Sequence, residues 1–194
     1  RATLPVDLAL LPGVRRRLAD SLVGQVRADS MDLGLLAALA PGAASDVRGT
    51  VRTALDLSGT WERPQLFGAL RVTRGSAALA ASGTRLNGFE AALSLRGDSL
   101  ALERVWARTG APADTVSLTG HVVFAPLRDP RLDLRLAARN FLAVDRPRLA
   151  TLWVSTPSPL TVRGTFREAT VRGAARLERG RIYIPELIEK RVVD

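Results

Sequence analysis

The sequence contains no cysteine, one histidine and one lysine, and aromatic residues make up 5% of it. Without cysteine, disulfides and thiolate metal sites are excluded. The single histidine, His121, has no second metal-ligating residue at a useful spacing. So few aromatic side chains disfavour stacking platforms for nucleic-acid bases. We therefore predict that the chain holds no metal and needs no cofactor.

Long apolar runs are also missing. The longest, Leu33 to Ala40, is less than half of the roughly 18–20 residues that a membrane-spanning helix needs. We expect any membrane anchor of the full protein to lie outside this sequence. Because the chain begins at Arg1 without a charged-then-apolar leader, we interpret it as an internal or C-terminal piece, or as a processed chain.

Motifs of catalysis are absent as well. The sequence has no G-x-S-x-G, H-E-x-x-H, Walker-type or dinucleotide-binding glycine pattern. Its carboxylates are scattered and mostly near arginine, as expected of cross-strand pairs on a solvated sheet face. No carboxylate pair is set apart for acid–base chemistry. We predict that the protein is not an enzyme and has no catalytic residues.

What the sequence does have is positive charge, with a net value of +9 that comes almost entirely from arginine. One interpretation is an anionic partner, such as nucleic acid or lipid headgroups. The other is a composition bias in which arginine forms the solvated side of each strand. The arginines mostly occur singly at alternate positions, which favours the second interpretation, and we predict no nucleic-acid partner.

A repeat organises the chain. Residues 59–79, GTWERPQLFGALRVTRGSAAL, align without a gap with residues 164–184, GTFREATVRGAARLERGRIYI. Each copy indicates the end of a strand, a turn, a full strand, a glycine turn and the start of another strand. Leu70 and Val72 alternate with Arg71, so one face is apolar and the other solvated. This pattern predicts antiparallel hairpins.

Five glycines fall in phase with the apolar face, in the middle of predicted strands: Gly59, Gly68, Gly120, Gly164 and Gly173. A glycine weakens a strand unless the sheet bends there or another backbone approaches closely. Their recurrence predicts a sheet that is folded along its length with its apolar residues inside. A compact sandwich is the alternative.

Other local signals are a helix, two turns and a bulge. Asp32 is a predicted N-cap for a short helix near residues 33–40. Gly75 and the pair Asn87-Gly88 predict turns. The apolar phase slips between residues 102 and 105, which indicates a bulge.

We predict one mainly β segment over residues 1–194, an elongated, curved antiparallel sheet of repeated hairpins. Within it, residues 1–46 would form leading strands and the helix, and residues 47–194 a meander of repeats.

The ordered series of motifs resembles the C-terminal region of the TamB-type translocation and assembly module family, within the AsmA-like group. The resemblance covers roughly residues 21–187 and is carried by MDLGLLAALAP, LDLSGTWERPQLFGALRVTRG, LNGFEAALSLRGDSLAL, VSLTGHVVF and LTVRGTFREATVRGAARLERGRIYIPEL. One departure is Ala169, which stands where the first repeat copy has Pro64.

This resemblance implies a fold and a cellular setting. The fold is a β-taco, a U-shaped sheet with a hydrophobic groove. The setting is the periplasm of a diderm bacterium, with an inner-membrane anchor outside this chain. The implied function is a non-enzymatic bridge segment that shields lipid acyl chains during phospholipid transport between the inner and outer membranes. The alternative is an assembly factor for outer-membrane β-barrel proteins that acts with an Omp85-type partner.

The predicted groove residues are apolar and in phase along their strands. They are Leu55, Leu57, Trp61, Leu70, Val72, Leu93, Leu95, Leu118, Val122, Phe124, Leu132, Leu134, Leu136, Val162, Phe166, Leu177, Ile182 and Ile184. The competing hypothesis is that these residues fill the closed core of a sandwich, as in a structural or adhesin-like repeat without a ligand.

Overall fold

The computed structural model describes residues 2–3, 22–37, 42–60, 63–124 and 129–183. These residues form one short helix, α1 (Leu33–Ala37), and strands that dominate the chain. The strands are β1 (Ala2–Thr3), β2 (Val23–Asp32), β3 (Ala44–Gly59), β4 (Pro64–Leu79), β5 (Arg85–Gly97), β6 (Ser99–Arg108), β7 (Thr115–Val123), β8 (Arg131–Arg139), β9 (Phe141–Arg146), β10 (Ala150–Ser155), β11 (Leu160–Thr165), β12 (Ala169–Arg172) and β13 (Arg176–Ile182).

The strands build two antiparallel sheets. Ten strands lie in the order β1-β2-β3-β4-β5-β6-β7-β8-β11-β12, and three more in the order β13-β10-β9. Consecutive strands pair as hairpins from β1 to β8, and within the described residues the edge strands β1 and β12 do not pair with each other. The predicted mainly β, unclosed sheet of antiparallel hairpins is therefore confirmed.

Three strands of the small sheet are continuations of strands of the large one. Strand β8 runs into β9 through Asn140, β10 runs into β11 through residues 156–159, and β12 runs into β13 through residues 173–175. Asn140 has a φ of 43°, a left-handed conformation that asparagine tolerates better than most residues. The two sheets are thus one sheet that is broken along a line.

The same line continues through β3, β4 and β5 as bulges. The pairing register shifts near Asp46 in β3, near Arg74 in β4 and between Asn87 and Glu90 in β5. Asp46 and Arg74 have φ values of 51° and 53°. A bulge adds one residue to one strand and bends it. The sheet therefore folds as predicted, but it bends at these bulges, and of the five predicted glycines only Gly173 lies on the line.

The mid-strand glycines serve the second predicted purpose, close backbone approach. Gly68 and Gly120 have φ values of 136° and 137°. A Cβ at Gly68 would overlap the carbonyl oxygen of Ala54, and one at Gly120 that of Asp133. A side chain at either position would push neighbouring strands apart.

The predicted turns at Gly75 and at Asn87-Gly88 are wrong. Gly75 lies inside β4 and the pair Asn87-Gly88 inside β5. Both sites are bulges, because Arg74 and Gly88, with φ values of 53° and 62°, lie at register shifts and the flanking residues find partners on neighbouring strands. The bulge predicted between Leu102 and Val105 is confirmed by a register shift there.

The predicted helix is present over Leu33–Ala37, and residues 38–40 lie outside the described part of the chain. Its start is fixed as predicted, because the Gly34 backbone N–H donates to Asp32 Oδ1 at 2.7 Å. The division of the chain at residue 46 stays a prediction.

The two repeat copies diverge after their mid-strand glycine. In the first copy, β4 continues past Gly68 to Leu79, whereas in the second, β12 ends at Arg172 just before Gly173. Strand β4 has neighbours on both sides, β3 and β5, while β12 is an edge strand with β11 as its neighbour. The number of neighbouring strands, and not the similar sequence, therefore decides where the strand of each copy ends.

The core lies in the inner corner beside the bend line. Val51, Val72 and Ala91 are buried there, and Leu33 of α1 and Phe89 pack against them. Hydrogen bonds connect the small sheet to loops of the large one, since Asn140 Nδ2 donates to Asp114 Oδ1 at 2.6 Å and the buried Thr84 Oγ1 donates to the Ala143 carbonyl at 3.2 Å. Burial is concentrated where the sheet folds back.

We predict that Gly120→Ala lowers the free energy of unfolding by about 2–4 kcal/mol, because a positive φ and a backbone overlap are both imposed on the new side chain. Gly180→Ala is the matched control. Its φ is not in the left-handed region, and a Cβ there would meet flexible leucine side chains at 3.2 Å or more. Urea unfolding of both variants checks this, and equal losses would contradict it.

Candidate functional site

Cross-strand pairing aligns apolar residues into three parallel rows that run across the large sheet, perpendicular to its strands. Row 1 is Val26, Leu55, Gly68, Leu95, Leu100, Val122, Leu132, Gly164 and Ala169. Row 2 is Ala28, Thr53, Leu70, Leu93, Leu102, Gly120, Leu134, Val162 and Val171. Row 3 is Met31, Val51, Val72, Ala91, Val105, Leu118, Leu136 and Leu160.

These rows contain no charged residue and one hydroxyl. The hydroxyl belongs to Thr53, and its Oγ1 donates to the Ala69 carbonyl at 3.1 Å, so its hydrogen bond is satisfied within the sheet. Rows 1 and 2 run from β2 to β12, and at a strand spacing of about 4.8 Å they are roughly 38 Å long. The large sheet thus presents one continuous apolar face.

Exposure differs between the rows. Row 3 is buried at Val51, Val72 and Ala91, where α1 and the inner corner cover it. The large side chains in the middle of rows 1 and 2 are half-buried, and the two edge residues Val26 and Val171 are 53% and 62% exposed. A closed core buries its large aliphatic side chains fully. In the described residues, rows 1 and 2 therefore keep accessible apolar surface.

Most of the predicted groove residues come together on this face. Twelve lie in the three rows or in the adjoining pair Leu57–Leu66: Leu55, Leu57, Leu70, Val72, Leu93, Leu95, Leu118, Val122, Leu132, Leu134, Leu136 and Val162. Leu57 pairs with Leu66, one step beyond row 1 on the side away from the bend line.

The other six predicted residues lie elsewhere. Phe124 and Phe166 are at the strand ends away from the bend line, where their backbone N–H groups donate to the carbonyls of Asp98 and Pro130. Leu177 and Ile182 belong to β13 of the small sheet and are 58% and 69% exposed. Trp61 and Ile184 lie outside the described residues.

Several residues of the apolar face were not among the predicted groove residues. They are Val51, Leu66, Leu100, Leu102, Val105 and Leu160. Leu100 and Leu102 alternate along β6 and carried a usable signal. Val105 follows the bulge, so its face depends on how many residues the bulge adds, and the sequence pattern does not fix that number.

Other kinds of site have no counterpart in the described ranges. There, no group of histidine and acidic residues is placed to hold a metal ion. No described helix combines the length and the hydropathy needed to cross a bilayer. Buried side-chain nitrogen and oxygen atoms in these ranges all have hydrogen-bond partners. The apolar face is therefore the feature to compare with known proteins.

Residues 107–192 match the family model of the TamB C-terminal domain. This part of the chain is similar to a TamB C-terminal domain. The match runs from the end of β6 through β13, so it includes the bend between the two sheets. The TamB-type resemblance is thereby confirmed over these residues, a narrower span than the motifs predicted. Neither a curated protein nor a solved structure matches the chain significantly.

The TamB family is a family of translocation and assembly module proteins of the cell envelope. The matched part contains about half of the apolar face. Row 1 contributes Val122 and Leu132 to it, and row 2 contributes Leu134 and Val162.

We predict that Leu134→Ala lowers the free energy of unfolding by less than about 1.5 kcal/mol, because an accessible leucine on an open face loses little burial when it is shortened. In a closed core the same change costs about 2–5 kcal/mol. Val51→Ala, at a fully buried position, is the control and should cost about 2 kcal/mol. Denaturant unfolding of both variants measures the two changes in the free energy of unfolding. A larger loss for Leu134→Ala than for Val51→Ala would contradict an open face.

Proposed function

We propose that the apolar face of this TamB-type sheet is a groove that shields the acyl chains of phospholipids as they move between the inner and outer membranes. The observation that carries the proposal is the continuity of rows 1 and 2. They cross nine strands without a charged residue, and their side chains remain partly accessible. A ligand that is long, narrow and apolar matches such a strip.

The energy of such a contact suits transport. Burying a methylene gains about 0.8 kcal/mol, so a chain of about sixteen carbons would be held by roughly 12 kcal/mol if fully sheathed. An open strip shields only part of the chain and holds it less tightly. Because the aliphatic side chains recur on every strand, the acyl chain can advance without meeting a charged barrier or a single deep trap.

The bend supports this role because it gives the sheet an inner and an outer face. The α1 helix and the small sheet both lie next to the bend line. Leu33 of α1 packs there against the buried residues of row 3. Rows 1 and 2 lie farther from the line and are less covered. An acyl chain would lie along these rows, while its polar headgroup would stay in water.

The proposed setting follows from the family. The segment would act without catalysis in the periplasm, as part of a longer protein that is anchored in the inner membrane by residues outside this chain. An Omp85-type barrel protein of the outer membrane would be its protein partner.

A second function is favoured by a different observation, the exposed edge formed by β12 and β13. Val171, Leu177, Ile182 and Tyr183 are each at least 58% exposed along this edge. The free N–H and C=O groups of an edge strand pair readily with another strand. The edge therefore suits an assembly factor that offers a template strand to an outer-membrane β-barrel protein.

Photo-crosslinking in cells tests the proposal. A photoreactive amino acid at Leu134 of the full-length protein would face the groove, and the same probe at Arg135 would face the opposite side. We expect phospholipid to be captured at Leu134 and not at Arg135, since successive residues of a strand point to opposite faces.

A third probe at Leu177, in β13 and outside the rows, separates the two functions. Capture of an outer-membrane barrel protein at Leu177, together with no lipid at Leu134, would replace the groove with the assembly function. Equal lipid capture at Leu134 and Arg135 would contradict the groove, because it would reflect membrane proximity alone.

A further inference from the structure

One face of the small sheet carries arginines beside aromatic and apolar side chains. Strands β10 and β13 pair there, and the hydrogen bond from the Tyr183 N–H to the Leu149 carbonyl at 3.0 Å continues their ladder by one pair. Because side chains alternate along a strand, every second pair falls on the same face. We call three such pairs the Arg–Trp face: Leu149 and Tyr183, Thr151 and Arg181, and Trp153 and Arg179.

The centre of the Arg–Trp face is a depression of about 450 Å³. Its lining residues are Thr151, Trp153, Arg179, Gly180 and Arg181. None of these is acidic, whereas two depressions on the large sheet are both lined in part by Glu103. The polar side chains of the lining offer two guanidinium groups, an indole N–H and a hydroxyl, which are almost entirely hydrogen-bond donors. The depression therefore suits an anion.

Arg179 is held in position while its charge stays available. Its guanidinium carbon lies 4.6 Å from the centroid of the Trp153 ring. An arginine that stacks on an aromatic ring keeps its in-plane N–H groups for an anion. Both Arg179 and Arg181 are exposed, and neither forms a salt bridge within the described ranges. The two guanidinium groups therefore lack an acidic partner in that part of the chain.

A second arginine–tryptophan contact differs in its surroundings. Arg108 lies 5.5 Å from the centroid of the Trp106 ring. The indole N–H of Trp106 donates to Glu90 Oε2 at 3.1 Å, so a carboxylate stands beside that contact. The Arg–Trp face contains no such group, which makes it the better of the two contacts for an anionic ligand.

Two carboxylates lie near the Arg–Trp face but outside the depression. Asp145 pairs with Thr151 from β9, and at a strand spacing of about 4.8 Å it lies roughly 10 Å from the strand of Arg181. This distance is about one Debye length at 0.1 M salt. Glu178 is left unpaired by a bulge in β13 and is not a lining residue. Because β13 is an edge strand, a ligand that approaches from its open side meets the arginines before Asp145.

Exposed apolar side chains adjoin the two charges. Leu149 and Tyr183 are 61% and 58% exposed, and they form the pair next to Arg181 on the same face. A free phosphate ester at the arginines would leave this apolar surface in water. A phospholipid in a bilayer would cover it, because apolar lipid lies directly beneath the phosphate layer. Tyrosine and tryptophan are enriched at membrane interfaces for the same reason.

We propose that the Arg–Trp face binds the headgroup phosphate of an anionic phospholipid at a bilayer surface. Arg179 and Arg181 hold the phosphate oxygens through charge-assisted hydrogen bonds. Leu149 and Tyr183 enter the interfacial layer, where burial of their apolar surface adds to the attraction between arginine and anionic lipid. The contact lies on the small sheet and does not require acyl chains to enter rows 1 and 2.

Vesicle flotation with two double variants of equal net charge tests the arginines. One is Arg179→Gln/Arg181→Gln. The control is Arg96→Gln/Arg131→Gln, two exposed arginines at strand ends away from the bend line. The vesicles contain phosphatidylglycerol, and vesicles of phosphatidylcholine are the neutral reference.

We expect Arg179→Gln/Arg181→Gln to lower the partition coefficient onto phosphatidylglycerol vesicles at least about fivefold, because each arginine near an anionic surface contributes to binding. The control should lower it less than about twofold, and binding to phosphatidylcholine should be weak throughout. Equal losses in the two variants would overturn the proposal in favour of a net-charge effect. An unchanged partition coefficient for Arg179→Gln/Arg181→Gln would also overturn it.

A second pair of variants tests the apolar part of the contact. Leu149→Ser should weaken vesicle binding about threefold or more, whereas Val23→Ser should change it little, although the two side chains are 61% and 60% exposed. Excess glycerol 3-phosphate should not displace the chain from the vesicles. Displacement by glycerol 3-phosphate, or equal effects of the two substitutions, would overturn a bilayer as the ligand. Crosslinking at Leu134 reports on the groove separately, so failure of one proposal is distinguishable from failure of the other.

Discussion

Strand register is the constraint on which both faces of this sheet depend. The three apolar rows exist because residues of the same parity meet across eight or nine successive strands. A slip of one residue in any strand would move its leucines to the solvated face and its arginines to the apolar one. Glycines at row positions, such as Gly68 and Gly120, help to fix the register because they let the neighbouring backbone approach where no side chain fits.

The bend separates the buried side chains from the accessible apolar rows. The buried side chains Val51, Val72 and Ala91 lie in the inner corner, and the hydrogen bonds of Asn140 and Thr84 connect the small sheet to loops of the large one. Rows 1 and 2 lie farther out and contribute less burial. A sheet that is stabilised at its corner can leave its remaining apolar surface accessible without depending on that surface to stay folded.

Sequence reasoning reached the β class, the two faces, the Asp32 cap and the bulge after Leu102, because each follows from residues close together in the chain. It failed at Gly75 and Asn87-Gly88, where the positive φ of Arg74 and of Gly88 belongs to a bulge instead of a turn. It also missed the second sheet. Whether a strand continues or breaks, as β4 and β12 do at equivalent glycines, depends on neighbours that are distant in sequence.

The central claim is that acyl chains lie along rows 1 and 2. The chain has no cysteine, so Leu134→Cys and Arg135→Cys each create one site for an environment-sensitive fluorophore. Phospholipids brominated along the acyl chain would be added to the labelled chain, and quenching of its fluorescence measured. The account predicts strong quenching at position 134 and little at position 135. Equal quenching at the two positions, or none at position 134, would contradict it.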